Sequence, residues 1–282
     1  MKKSWFSGEY LIVSGASRGI GREICLLLIK QYGANVIGIG RNEEKMQQLA
    51  DDLGEEKNKF IYRLFDVGVR ENWLSFRDWL QENAISPVLL VNNAGAFPTF
   101  QRADKTDVET YERLLQTNYL SCVYAVDAIL PLIKKPQKGL GGILNVSSSA
   151  ALCSVVGTAP YSATKAALKA YTEALALENK GKYYIGIVYP GTTATDLFRD
   201  DKNTDGSILY KVATSPERMA KKIVRSIRRR KKRAVIGADA KMMTFLAKIA
   251  PVKGLSLIAW VMKISHSKVF SNVFERSEKR KK

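Results

Sequence analysis

Short apolar runs and longer amphipathic segments alternate along the chain. The runs YLIVSG, NVIGIG, KFIYRLFD, PVLLVNNAG, GGILNVSS and YYIGIVYPG recur at intervals of about 25 to 50 residues. Between them lie segments with apolar residues at helical spacing, such as IGREICLLLIKQYG, NEEKMQQLADDLG and ENWLSFRDWLQENA. A strand that is apolar at nearly every position is buried on both faces. An amphipathic helix between two such strands is the crossover that lets them run parallel. The pattern predicts an α/β fold, a doubly wound parallel sheet of the Rossmann type, over roughly residues 8–240. Residues 1–240 are expected to form that single domain, and 241–282 a C-terminal helical extension. Residues 196–215, DLFRDDKNTDGSILYKVATS, are polar and turn-rich and read as a mobile loop within the domain.

Composition supports this picture. Hydrophobic residues are 46% of the 282, enough for a sizeable core. No apolar run of signal-peptide length precedes the first strand, and no stretch reaches the roughly 18 uncharged apolar residues of a spanning helix. Cys25, Cys122 and Cys153 sit among apolar neighbours without metal-like spacing. They are expected to be buried thiols of a cytoplasmic, reducing compartment. A lone histidine, His266, argues against Ser-His-Asp chemistry, and no metal is expected.

The first strand runs into SGASRGIG, where Gly15, Gly19 and Gly21 mark a strand-to-helix turn. Glycines there let backbone approach a pyrophosphate, and the helix N-terminus supplies free N–H groups. An NAD site usually carries a carboxylate after the second strand. This chain has Arg41 and Asn42 instead. A guanidinium binds a 2′-phosphate that a carboxylate would repel, and Arg18 could reach the same phosphate, so NADP(H) is the expected cofactor. After the third strand, Asp66 offers an acceptor for the adenine amine.

Six motifs stand in order: SGASRGIG, NNAG (92–95), Asn118 in LLQTNYLS, NVSSSA around Ser148, YSATK (161–165) and PGTTATD. In this order and spacing, over about residues 8–200, the chain resembles the short-chain dehydrogenase/reductase family. The chemistry can also be read from the residues. Tyr161 and Lys165 are i and i+4 and share a helix face. A nearby ammonium favours the phenolate, so Lys165 is expected to lower the Tyr161 pKa and make the phenol a general acid/base. Ser148 would hydrogen-bond the substrate oxygen. The family places its serine 13 residues before the tyrosine, which selects Ser148. Ser147 and Ser149 alternate to other faces and would satisfy backbone groups instead.

The resemblance further implies that Lys165 binds the nicotinamide ribose and that Asn118 holds a proton-relay water. It implies cofactor contacts at Ser17, Ile20, Val67, Asn92, Ala94, Gly95, Pro190, Gly191, Thr193 and Thr195. Thr193 departs from the aliphatic residue usual at its position. The activity implied is that of a carbonyl reductase or hydroxysteroid dehydrogenase. A non-catalytic NADP(H) sensor or membrane scaffold on the same fold is the alternative.

Ala96, Phe97, Ser149, Leu152, Cys153, Val155 and Phe198 are expected to border the substrate pocket. Most are apolar and none carries a fixed charge, which suggests a sterol or lipid-derived ketone or alcohol. A homodimer or homotetramer is expected. Charge adds one question. Residues 1–210 hold 24 basic and 23 acidic residues, whereas 211–282 hold 21 and 4. Ser215, Pro216 and Glu217 read as a helix start, and nine basic residues lie from Lys221 to Arg233. Beyond them, apolar stretches are interrupted by Lys241, Lys248, Lys253 and Lys263. Two compatible readings stand: contact with an anionic membrane surface, or a cap on the domain or a second subunit. No nucleic-acid-binding motif accompanies the basic cluster, and nucleic acid is not an expected partner.

Overall fold

The apolar runs fold as strands: β1 (Tyr10–Ser14), β2 (Asn35–Gly40), β3 (Phe60–Leu64), β4 (Leu89–Asn92), β5 (Gly142–Val146) and β6 (Tyr184–Pro190). These come from a computed structural model that describes residues 2–194, 213–265 and 267–274. A seventh strand, β7 (Arg233–Ile236), arises inside the basic tail. The hydrophobic pattern does not single it out, because it has only four residues and its first is exposed. The order is β3-β2-β1-β4-β5-β6-β7, and every neighbouring pair is parallel.

Helices cover both faces. On one, α1 (Gly19–Tyr32), α2 (Glu43–Asp52) and α7 (Pro216–Arg228) bury Ile24, Leu28, Met46, Leu49, Ile223 and Ile227 against Leu11 and Val13. On the other, α3 (Arg70–Glu82), α5 (Ser121–Ile129) and α6 (Ala159–Glu178) pack against Ile12 with Trp73, Phe76, Val126 and Leu175. The two-residue alternation of a strand thus divides β1 between the two layers. A further helix, α4 (Val108–Leu115), lies outside and begins at Asp107, whose carboxylate accepts from Thr110 N. Ser215 caps α7 by accepting from Arg218 N, at the start that Ser-Pro-Glu marks in the sequence. The three cysteines are buried.

The polar core residues are linked. Asn92 Nδ2 donates to Asn145 Oδ1 at 2.9 Å, and Asn145 Nδ2 donates to Thr172 Oγ1 at 2.8 Å. This line ties β4, β5 and α6 together and leaves no free amide in the core.

The extension starts directly off β7 as α8 (Ala238–Ile249), so the 240/241 boundary falls inside a helix. It turns at Ala250–Pro251 into α9 (Pro251–Ile264) and ends in a 3₁₀ turn at Lys268–Phe270. Gly254 lets the two helices touch, since a Cβ there would lie 2.7 Å from the Leu246 carbonyl oxygen.

The basic cluster at 221–233 is not one solvated face. Arg230 has φ 45°. Its guanidinium stacks 4.0 Å from the Trp5 ring centroid, and Nε donates to Leu140 O at 2.8 Å. Burial lowers its pKa. Arg233 pairs with Glu173 at 3.6 Å and lies over the Tyr189 ring. We expect Arg230→Ala to destabilise the fold by about 2 kcal/mol, losing a cation–π contact and charge-assisted hydrogen bonds. Lys232→Ala, at an exposed neighbour, should change stability by less than about 0.5 kcal/mol. Urea denaturation measures both.

Candidate active site

In a parallel sheet every strand ends at the same edge, so the loops after β1, β4, β5 and β6 meet there. The turn after β1 is compact. Gly15 and Gly19 have φ 67° and 55°. A Cβ on Gly21 would lie 2.1 Å from the Gly15 carbonyl oxygen, and one on Gly15 would lie 2.9 Å from Ala94 Cα. No side chain but hydrogen fits at either position. The first turn of α1 contains no acidic residue, and Arg18 and Ile20 flank its opening with Ser17 behind. The edge of this turn is a cradle for an anion.

Beside it, Arg41 Nη1 lies 3.1 Å from Asp66 Oδ2, with the Arg41 side chain 75% exposed. Asp66 Oδ1 also accepts from Gly68 N at 2.8 Å. The arginine and aspartate that were assigned separate tasks in the sequence thus form one pair across the ends of β2 and β3. Other expected contacts are held elsewhere. Asn42 uses Oδ1 to cap α2 through Lys45 N, and Val67 O accepts from Trp73 Nε1. The Asn92 amide is turned into the core, so only its backbone remains available to the turn.

Asn118 is fully buried within a π-turn at Gln116–Leu120, between α4 and α5. Its Oδ1 accepts from Ala96 N at 2.7 Å. Its Nδ2 donates to Ala96 O at 2.9 Å and to Thr164 Oγ1 at 3.2 Å. The side chain therefore clamps the loop after β4 to α6. Gly95 sits inside the clamp, where a Cβ would lie 3.2 Å from Asn118 Oδ1 and 3.4 Å from Lys165 Nζ.

Tyr161 and Lys165 face β5 from the first turns of α6. Lys165 is 4% exposed and donates from Nζ to Val146 O at 3.1 Å. The Lys165 carbonyl accepts from Ser147 Oγ at 3.1 Å. The Ser148 hydroxyl is turned towards Tyr161 and accepts from Ala150 N at 3.2 Å. Ser147 thus holds the helix, Ser149 is buried, and Ser148 faces the phenol.

The electrostatics differ from expectation in one respect. Burial raises the Tyr161 pKa, and the Ser148 hydrogen bond opposes the rise. Burial also lowers the Lys165 pKa. The Lys165 ammonium, 5.8 Å from the Tyr161 ring centroid, is directed to the Val146 carbonyl. Desolvation of the phenol, rather than attraction by the ammonium, dominates in this state.

After β6, Gly191 N donates to Ile236 O at 2.8 Å, which locks the residue after Pro190 to the edge strand. Thr193 is buried and donates from Oγ1 to Gly191 O. Thr195, Phe198, His266 and most of 196–215 lie outside the described residues. On the far side, Phe97 packs edge-on to Tyr161 with ring centroids 5.0 Å apart. Phe97 also meets Phe100, and Phe100 meets Phe270 of the C-terminal turn, each at 5.0 Å.

Several site-building residues escape the sequence pattern. Ser14 Oγ accepts from Asn93 N and Ala94 N, both at 3.0 Å, and Asn93 Nδ2 donates to Ser14 O. A polar residue closing an apolar strand is the available signal for Ser14. Asp239 Oδ2 accepts from Thr192 N at 2.7 Å, and a Cβ on Gly191 would lie 2.3 Å from its Oδ1. Its signal is isolation, because it is the one carboxylate in residues 218–274.

Residues 9–206 match the sequence profile described as short chain dehydrogenase. The chain is 29% identical to a 3-ketodihydrosphingosine reductase of Bos taurus, over 88% of this chain and 77% of that protein. It is 31% identical to an NADP-dependent 3-hydroxy acid dehydrogenase of Escherichia coli strain K12, over 73% and 84%. Its fold is similar to the closed form of a serine dehydrogenase complexed with NADP+. The TM-score is 0.71 at 26% identity, covering 80% of this chain and 94% of that one.

Removing the Asn118 amide should loosen the site as a whole. We expect Asn118→Leu to destabilise the fold by about 1–3 kcal/mol, because the Ala96 N–H and C=O lose their partner. Thermal unfolding of wild type and variant checks this.

Proposed function

The chain belongs to the short-chain dehydrogenase family, and on that premise we propose that Ser148, Tyr161 and Lys165 interconvert an apolar, lipid-like ketone and its alcohol. The protein is an NADP-linked oxidoreductase acting between C–OH and C=O. Its family and its oxidoreductase relatives favour this reading over the non-catalytic alternative.

The glycine turn fits the cofactor. It has no room for a Cβ at Gly15 or Gly21, a helix N-terminus without acidic residues, and Arg41 exposed where NAD sites carry a carboxylate. Gly15, Gly19 and Gly21 would hold the pyrophosphate and Arg41 the 2′-phosphate, with Gly191 and Thr193 near the carboxamide. The cofactor supplies or accepts the hydride.

The observation that carries the reading is the placement of the Ser148 hydroxyl towards the phenol of Tyr161, beside the buried Lys165. A carbonyl oxygen accepting from both hydroxyls has its developing negative charge stabilised twice. In reduction Tyr161 donates its phenolic proton to that oxygen. In oxidation the phenolate accepts it back. Lys165 would place a positive charge near the phenol, and no described carboxylate pairs with it. Both N–H groups of Asn118 are donated to protein. A relay water there would rest on an oxygen of this residue, its carbonyl or Oδ1.

The substrate reading rests on the apolar boundary. Phe97, Leu152, Cys153 and Val155, expected to border the pocket, are uncharged, and the bovine relative is named for a lipid ketone. We take carbonyl reduction as the working direction, with a hydroxysteroid as the other form of the same class. Homo-oligomerisation belongs to this reading, and Val108 and Leu115 on α4 are exposed apolar residues available for it.

Two tests follow. Against a carbonyl panel, Tyr161→Phe should lower kcat by about 10²- to 10⁴-fold with unchanged thermal unfolding. Full activity in this variant would end the assignment. The raised phenol pKa sets the sign of the pH dependence. Reduction, which needs the protonated phenol, should be level through neutral pH and fall only above the ordinary tyrosine range. Oxidation should rise with pH.

The second test is Arg41→Ala. It should raise KM for NADPH by about tenfold or more and leave that for NADH nearly unchanged. Equal effects on both cofactors would remove the 2′-phosphate assignment.

A further inference from the structure

The exposed apolar surface of this protein is concentrated in one place. Of fourteen large hydrophobic side chains exposed among the described residues, eight lie within residues 242–264. Met242, Phe245 and Ile249 recur at helical spacing along α8, with exposures of 59%, 61% and 60%. Leu257, Trp260, Val261 and Ile264 do the same along α9. The hairpin buries almost nothing on its own account: Ala240 is the buried residue of α8 and Gly254 that of α9. Isolated exposed hydrophobics are ordinary, but a contiguous set on two adjoining helices marks an interaction surface.

We propose that the α8–α9 hairpin is a membrane-docking face that lies in the headgroup region of an anionic phospholipid bilayer. Charge identifies the occupant. Lys241, Lys248, Lys253 and Lys263 are exposed on these helices, and residues 240–274 contain no Asp or Glu. At 100° per residue, Lys241 and Lys248 project from one flank of the Met242–Phe245–Ile249 stripe. Long amphipathic stems in that position let ammonium groups reach lipid phosphates while the stripe sinks below them.

Length excludes spanning. Helices of 12 and 14 residues reach about 18 to 21 Å, short of the roughly 30 Å hydrocarbon core. No described helix is long and apolar enough to cross a membrane. A second copy of the chain is the poorer occupant. Two such faces related by a twofold axis would bring together lysines from both copies with no carboxylate from either.

The side of α9 turned away from this stripe adjoins the site. Met262 of α9 packs on the cluster formed by Phe100, Val269, Phe270 and Val273. That cluster continues through Phe97 to the ring of Tyr161. An apolar molecule held in the bilayer beside this hairpin would lie close to the wall of the site. The docking face stands on the hairpin alone. Its use for substrate delivery rests on the lipid-like ketone proposed above.

The test is flotation of the full-length chain with vesicles, without NADPH or substrate. One set is pure phosphatidylcholine, the other contains about 30% phosphatidylserine. We expect strong flotation with the anionic vesicles and weak flotation without phosphatidylserine. Phe245→Ser/Trp260→Ser should reduce binding by about tenfold. Lys248→Glu/Lys253→Glu, confined to exposed positions, should do the same and guards against misfolding of the first variant. Equal flotation of all three chains, or none with either vesicle, would overturn the proposal. So would a shift of the variants from dimer to monomer in sedimentation with vesicle binding unchanged, which would make the hairpin a subunit interface. A chain that floats but reduces no carbonyl keeps the docking face and removes the catalytic reading. The opposite result separates the two in the other direction.

Discussion

The strand-end site of the sheet is organised around a buried lysine with no salt-bridge partner among the described residues. Lys165 is almost wholly enclosed, and removing such a charge from water is expensive unless polar groups replace the lost hydration. Val146 O supplies one such group at the end of β5. The Ser147 hydroxyl, on the next residue, grips the Lys165 backbone carbonyl. The last residue of β5 and the one after it therefore hold the lysine at both ends. The neighbouring architecture follows from this. A side chain at Gly95 would crowd Nζ, and Thr164, beside the lysine, is fastened by Asn118. The loop that carries Gly95 is fastened by the same asparagine. An ammonium thus restrained keeps a positive field near Tyr161 while leaving the Tyr161 proton to Ser148.

The C-terminal extension is part of this site rather than an appendage. Phe270 packs on Phe100, Phe100 on Phe97, and Phe97 on the tyrosine ring. At the opposite side of the cleft, Asp239 at the start of α8 fixes the Thr192 amide. One extension therefore touches both walls, the aromatic one by packing and the loop after β6 by a charge-assisted hydrogen bond. Gly191 and Gly237 accommodate the Asp239 carboxylate, since a Cβ at either would lie within 2.6 Å of one of its oxygens. The extension and the loop after β6 are consequently constrained together.

What was legible in the sequence had a local or periodic cause. Six strands declared themselves because strands buried on both faces are apolar throughout, and α7 was marked by Ser215 at its cap. Tyr161 and Lys165 were legible because four residues along a helix is one turn. The rest depended on contacts between distant segments. β7 has four residues and an exposed first position, so it carries no period. Asn92 and Asn93 are adjacent and chemically identical, yet one completes a core line with Asn145 and the other braces the glycine turn. Only the strand register separates them. The direction of the Tyr161 shift was also invisible, because it comes from burial, which no spacing of charges reveals.

The sheet's polarity also divides the positive charge. Arg230 makes contacts before β1 and β5, at Trp5, Leu140 and Lys138, so the 221–233 cluster ends at the N-terminal edge of the strands. The site and the start of α8 lie at the other edge. Like charges in the first group are tolerated because some serve as structure: Arg230 stacks on an indole, and Arg233 meets Glu173. Beyond Asp239, which is bound to the loop after β6, α8 and α9 carry no acidic residue, and their lysines border exposed apolar side chains. The net charge of +18 therefore combines two unlike arrangements. One helps close the far end of the fold, and the other accompanies the apolar surface of a hairpin whose inner side adjoins the aromatic wall of Tyr161. Because β7 and α8 are consecutive, a short stretch of chain carries the backbone from the first arrangement to the second, and the width of the sheet edge keeps their fields apart.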